Sequence, residues 1–293
     1  MKSKTLIIII AVFIIGIGVY LFMNYSDSET ESTADYSWPL FNQDEIDKIQ
    51  VTAAGQTLDL IENAAGWTVN DKEVSSSSID SLFNSMKEVT VTGPISTSGQ
   101  NYDKFSLDEA NAIDISLNSG STETLRILIG KAASTSGSGE TYFKLPDNVN
   151  VYKANKYWNA FVYKTADEWR DKMIWQFADG EVKKVTAEMN NKKYEAMPEG
   201  EEWQVTYNGV AKTAPGFINS ISALQAKGFA SEEVSVAYWL NFYGDNDEEL
   251  LLLSVGEGDT DYYIKKQGSE DIYVVTDLIF ARVWLPALFD SLE

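Results

Sequence analysis

Hydrophobic positions change character along this chain. From Leu6 to Met23 they are continuous, LIIIIAVFIIGIGVYLFM, 18 residues without a charge. As a helix this run measures roughly 27 Å, about one hydrocarbon core. Lys2 and Lys4 precede it, and Asp27, Glu29, Glu31 and Asp35 follow it. The positive-inside rule then leaves the N-terminus in the cytoplasm and the bulk of the chain outside. The run is longer than the apolar core of a cleavable signal and offers no small-x-small exit. Residues 1–23 are therefore expected to form an uncleaved transmembrane signal anchor. Residues 24–40, polar and acidic, are expected to form a flexible tether.

Beyond the tether the pattern alternates. Ile49 and Val51, Leu58 and Leu60, and Trp67 and Val69 point to half-buried strands, with turn signals at Ala54-Gly55 and Ala65-Gly66. Ile79, Leu82, Phe83 and Met86 then switch to helical spacing behind the cap candidates Ser75–Ser78. Four more strand-like segments follow, Ala112–Leu117, Thr124–Gly130, Thr141–Lys144 and Asn150–Tyr152, with a Ser/Gly-rich insertion at Ala132–Gly139.

The pattern is then repeated. Ile46 and Val182, Ile49 and Val185, Trp67 and Trp203, Val69 and Val205, and Val74 and Val210 all stand 136 residues apart. Phe217, Ile221 and Leu224 take the helix positions of the second copy, with Gly228 as its stop. Tyr238–Phe242, Glu249–Gly256, Asp261–Ile264 and Asp271–Val274 take the strand positions. Gly130 and Gly256 end equivalent strands, and Leu250–Leu253 suggests a central strand covered on both faces. Leu278–Leu285 predicts a terminal helix, with Asn155–Val162 as its counterpart in the first copy. The expected fold is α+β. An N-terminal transmembrane helix is followed by two tandem repeats, 41–164 and 177–293, each a mostly antiparallel sheet with one main helix.

Residues 165–176 form the seam between the copies. Thr165-Ala-Asp-Glu168 has the form of a capping box. Trp169, Met173, Ile174 and Trp175 are apolar enough to be buried, and Arg170 and Asp171 are candidates for an ion pair. Trp169, Arg170, Asp171 and Trp175 are thus the candidate joint between copies or contact with a partner.

Composition removes chemistry from the picture. The chain of 293 residues has no Cys and no His. This excludes disulfides, thiolate or imidazole zinc sites, and Ser-His-Asp or Cys-His catalysis. No Ser-x-x-Lys occurs either. Asp245-Asn-Asp-Glu-Glu249 lacks the Gly and distal Glu of a calcium loop and reads as a solvated turn. Acidic pairs suited to glycoside hydrolysis cannot be chosen from 44 acids by spacing. No catalytic residue, metal or cofactor is expected. A net charge of −21 repels phosphate backbones, so nucleic acid is a poor partner. Trp67 and Trp203 read as core. Trp158, Trp169, Trp175, Trp239 and Trp284 are open to a role in partner contact.

Leu107 in its Phe-Ser-Leu-Asp context, Ile127-Leu-Ile-Gly130, Tyr142-Phe143, Val151-Tyr152 and Trp169-Arg-Asp-Lys172 resemble the uncharacterised bacterial family designated domain of unknown function 4340. Lys104-Phe105-Ser106 stands where that family usually has a Tyr-Gly or similar pair. The resemblance implies a membrane-anchored extracytoplasmic protein. It further implies an accessory role beside ABC-2-type transporter subunits, and it brings no assigned catalytic residue. A non-enzymatic accessory or scaffold subunit of such an assembly is the expected function. A glycan- or peptide-binding module with its site between the repeats is the alternative.

Overall fold

The computed structural model describes residues 36–133, 139–159, 165–189, 191–214 and 222–276. The expected signal anchor, most of the tether, Phe217, Ile221 and the terminal segment Leu278–Leu285 lie outside these residues. Among the described residues no helix is long and apolar enough to cross a membrane. A spanning helix needs about 20 apolar residues. The longest described helix, α1 (Ser76–Met86), has 11 and extends only about 16 Å. The single-pass anchor, the membrane as a partner and the extracytoplasmic placement drawn from Leu6–Met23 are corrected accordingly.

The fold class is corrected as well. The protein is mostly β, built on two large antiparallel sheets, and is not α+β. Alternation starts the first sheet as a meander of hairpins: β1 (Lys48–Ala53), β2 (Gln56–Asn63), β3 (Gly66–Val69) and β4 (Lys72–Glu73). After α1 come β5 (Val91–Ser96), β6 (Ile113–Ser119), β7 (Thr122–Ala132), β8 (Thr141–Lys144) and β9 (Val151–Ala154). Their order across the sheet is β4-β3-β2-β1-β6-β7-β8-β9-β5.

The one-turn helix α2 (Ala166–Trp169) and β10 (Met173–Gln176) lead into β11 (Lys184–Met189), β12 (Lys192–Glu199), β13 (Glu202–Tyr207) and β14 (Val210–Ala214). Next are β15 (Ala223–Gln225), β16 (Gly228–Ala230), β17 (Val236–Tyr243), β18 (Glu249–Glu257), β19 (Tyr262–Lys266) and β20 (Ile272–Val275). The second large sheet runs β14-β13-β12-β11-β17-β18-β19-β20-β16, the order of the first, strand for strand. Leu224, expected on a helix, lies in β15, which pairs with β10. Gly228, expected as a helix stop, opens β16.

The chain divides into two compact units, residues 1–71 with 76–164, and 72–75 with 165–293. In the first unit Ile49 pairs with Leu60 and with Leu117 across β1, β2 and β6. All three point to one face and are buried. α1 covers that face with Ile79, Leu82, Phe83 and Met86, the four positions its periodicity singled out, all buried. The last carbonyls of a helix lack partners within it. Here two indoles supply them: Trp158 Nε1 donates to the Ser85 carbonyl at 2.9 Å and Trp38 Nε1 to the Met86 carbonyl at 2.8 Å. The two indoles stack at 5.3 Å, and Phe143 meets both edge-on. The aromatic chemistry of this corner thus fixes where the helix ends.

In the second unit the buried face carries Val185, Ala187, Tyr194, Ala196, Val205, Leu240, Phe242, Leu253, Val255 and Ile264. β18 is central, between β17 and β19. Leu253 is fully buried, but Leu250, Leu251 and Leu252 are only partly so. The expected double coverage of this run is therefore corrected: its outward side is open.

Gly130 and Gly256 lie inside β7 and β18, near the strand ends. A Cβ on Gly130 would stand 2.2 Å from the Phe105 carbonyl oxygen and 3.0 Å from Leu107 Cγ. One on Gly256 would stand 2.9 Å from the Ser235 carbonyl oxygen and from Val234 Cγ1. In both units a loop crosses the sheet too closely for a side chain. Gly130→Ala and Gly256→Ala are each expected to destabilise their unit by about 1–3 kcal/mol. Gly228→Ala, with open space around it, is expected to stay within about 0.5 kcal/mol. Urea denaturation of the three variants checks this ranking.

Candidate functional site

The seam residues lie in the second unit. Glu168 Oε2 accepts from the Thr165 N–H at 2.7 Å and from Thr165 Oγ1 at 2.9 Å, which starts α2. Trp169 is fully buried at its end. β10 then carries Trp175 into the interior, where its ring lies 5.1 Å from that of Phe242. Neither indole is at the surface.

Arg170 does not pair with Asp171. Its guanidinium reaches Asp271 at 2.8 Å and Asp167 at 2.9 Å, and lies 3.4 Å above the Phe229 ring. Asp271 also accepts from Lys72 Nζ at 2.8 Å. Burial alone would raise the Asp271 carboxyl, but hydrogen bonds from Lys72 and Arg170 outweigh it and hold it below the ordinary carboxylate range. Asp171 instead accepts from the Met173 N–H at 3.0 Å and donates its own N–H to the Glu73 carbonyl at 2.9 Å. Lys266 Nζ donates to the Met173 carbonyl at 2.8 Å, and burial pushes its pKa down. Burial likewise pushes the neighbouring Tyr273 phenol up to about 12. Every charge named here meets another protein group, so the cluster orders the seam rather than offering chemistry. Sequence reasoning missed Asp271 and Lys72. Neither sits in a motif, and only the fold brings them to Arg170.

The reachable surface is the outward side of the second large sheet. Trp239, in the middle of β17, is 47% exposed. It lines two adjoining hollows of about 810 and 480 Å³, and half-buried Leu252 lines both with it. Thr186, Glu188, Glu195, Thr206, Asn208 and Asn241 form the polar wall of the larger hollow. Those on strands point outward because their neighbours in the strand point to the core, the period-2 rule of β structure, and Asn208 sits in the turn after β13. Two of these groups have side-chain partners. Glu188 faces Lys193 at 3.7 Å, and Asn241 Nδ2 donates to Glu249 Oε2 at 2.7 Å.

The first unit presents the same face differently. Trp239 pairs with Glu188, and Asp114 with Thr52, at equivalent places in the two sheets. Leu252 pairs with Asn241, and Arg126 with Ser116, again equivalently. Where the second unit has Trp239 and Leu252, the first has Asp114 and Arg126. These two form a two-pronged ion pair, Nε to Oδ1 at 3.0 Å and Nη2 to Oδ2 at 2.7 Å. The calcium-like run Asp245–Asp247 is a 3₁₀ turn between β17 and β18, where Asp247 pairs with Lys184. Among the described residues no group of three or more acidic side chains is placed to hold a metal ion.

Fold and surface together define a duplicated antiparallel β-sheet protein with a half-exposed indole, Trp239, on the outward face of its second unit. The chain belongs to the family described as Domain of unknown function (DUF4340), whose sequence model matches residues 67–242. That match starts in the first copy, crosses the seam and ends in β17. No curated protein and no solved structure matches the chain.

Asp271 yields a test by pH. Its folded-state pKa is depressed, so its stabilisation is present above the unfolded value of about 3.9 and fades as pH falls through the folded one. Asp271→Asn should cost the second unit about 1–3 kcal/mol at pH 7, by removing the negative charge that Arg170 and Lys72 share. Urea melts at pH 7, 5, 4 and 3 should show the gap between variant and native closing below about pH 4. A gap independent of pH would assign the loss to packing.

Proposed function

We propose that this protein is a non-enzymatic accessory subunit that binds through the outward face of its second sheet. The assembly it serves is the one the family resemblance implies, an ABC-2-type transporter complex. The observation that carries the reading is Trp239. A half-exposed indole on a central strand leaves apolar area in water that a polar residue would not. The equivalent place in the first unit holds an ion-paired Asp114. Exposed aromatics of this kind are enriched where surfaces are bound. The absence of Cys and His supports a binding role over nucleophilic or acid–base catalysis through those residues.

Affinity purification of the full chain from its native cells should recover transporter subunits. Trp239→Ala should reduce that recovery, while Asp114→Ala should leave it unchanged. Equal recovery with Trp239→Ala would remove the face from the mechanism, and recovery of the protein alone would remove the accessory role.

A further inference from the structure

We infer that the face around Trp239 is a saccharide-binding site, with the indole as the platform on which a sugar ring stacks. The inference rests on the reading that the second unit binds through this face. It names the ligand's chemistry.

A pyranose ring has an apolar side of C–H bonds and a rim of hydroxyls that both donate and accept. The C–H side is attracted to the negative face of an aromatic ring. The rim needs short donors and acceptors around that ring. Trp239 supplies the flat apolar surface, extended by Leu252. Thr186 and Thr206 supply hydroxyls, Asn208 and Asn241 amides, and Glu188 and Glu195 carboxylates. Hydroxyl, amide and carboxylate groups within reach of one indole are the partners a stacked sugar ring needs, and Tyr194 and Tyr243 line the same hollow.

Charge narrows the class further. On the wall Glu188 faces Lys193, Glu195 adds a second carboxylate, and the chain as a whole carries −21. An anionic glycan would meet a repulsive field, so the complementary ligand is an uncharged oligosaccharide. At about 810 Å³ the larger hollow is within the usual size of small-ligand sites, about 300–1,000 Å³. The adjoining hollow shares Trp239 and Leu252, which gives a linear chain a continuous track past the indole.

The duplication serves as an internal control. At the equivalent places of the first sheet, Asp114 and Arg126 occupy each other with two charge-assisted hydrogen bonds. Neither of these two places carries an aromatic ring, so the Trp239 platform belongs to the second copy.

Titration calorimetry of the full chain with neutral cello-, malto- and chito-hexasaccharides tests the assignment. At least one should bind at a single site. Trp239→Ala should weaken that binding about tenfold or more, Trp239→Tyr should restore part of it, and Asp114→Ala should not change it. Thermal melts should show all three variants folded, since these positions are at the surface. Absence of binding by all three sugars, or undiminished binding by Trp239→Ala, would overturn the saccharide assignment. If the sugars fail but Trp239→Ala still releases a protein partner in affinity purification, the saccharide assignment falls and the binding face survives. If neither sugar nor partner depends on Trp239, both fall together.

Discussion

At the centre of each large sheet stands a pairing between strands distant in sequence, β1 with β6 in the first unit and β11 with β17 in the second, while β5 with β9 and β16 with β20 make another such pairing at one edge. All other neighbours on the inner part of the sheet are hairpin partners, close in sequence. The central pairing alone joins the opening meander to the closing one. It also fixes which residues face the core. Ile49 opposite Leu117 and Val185 opposite Phe242 set the alternation that their neighbours inherit. A slip by one residue would turn every buried side chain of one meander outward. The inward stripe of each unit, the helix that covers it in the first, and the outward position of Trp239 all follow from this register.

The duplication was legible because it is written in large apolar residues. Trp67 and Trp203, or Ile49 and Val185, keep their spacing since each fills the same place on the same strand. The α1 helix was legible for a similar reason, its four apolar residues forming one uninterrupted face. Placing Leu224 and Gly228 on a second helix went astray because an apolar residue every three or four positions also arises in short extended pieces. Leu224 is buried from β15 as well as it could be from a helix. Leu250–Leu253 misled differently. A run of leucines implies cover on both sides only if nothing else explains it. Here the outward member, Leu252, lies beside Trp239 on an open face.

The candidate site was less legible. Trp169 and Trp175 are apolar enough to be buried, and α2 and β10 draw both inward. Their hydrophobic character predicts burial better than it predicts contact. Arg170 was a candidate for an ion pair with its neighbour Asp171, and it pairs with Asp271 and Asp167 instead. Adjacent residues on an extended chain point apart, so the true acceptor, Asp271, came from a different strand region. Trp239 could be named as a candidate but not selected, since exposure is a property of the register set at the centre of the sheet. Only comparison of the two copies shows it to be unusual, because the first copy has a charged pair in its place.

The long-range pairing at the centre of each sheet has a kinetic consequence. β1 must wait for β6, and β11 for β17, while their hairpin neighbours form first. Closing such loops is slow, so the inner edges of the early meanders stay open for part of folding. The two copies share one strand order, so an open β11 offers β6 a partner of the right length and alternation. Tandem domains of like topology are prone to this kind of cross-pairing. Divergence between the copies works against it. β6 brings Asp114 to the place where β11 is matched to Trp239, and β17 brings Phe242 where β1 is matched to Leu117. Each early meander is thereby biased toward the strand that follows it in its own half of the chain.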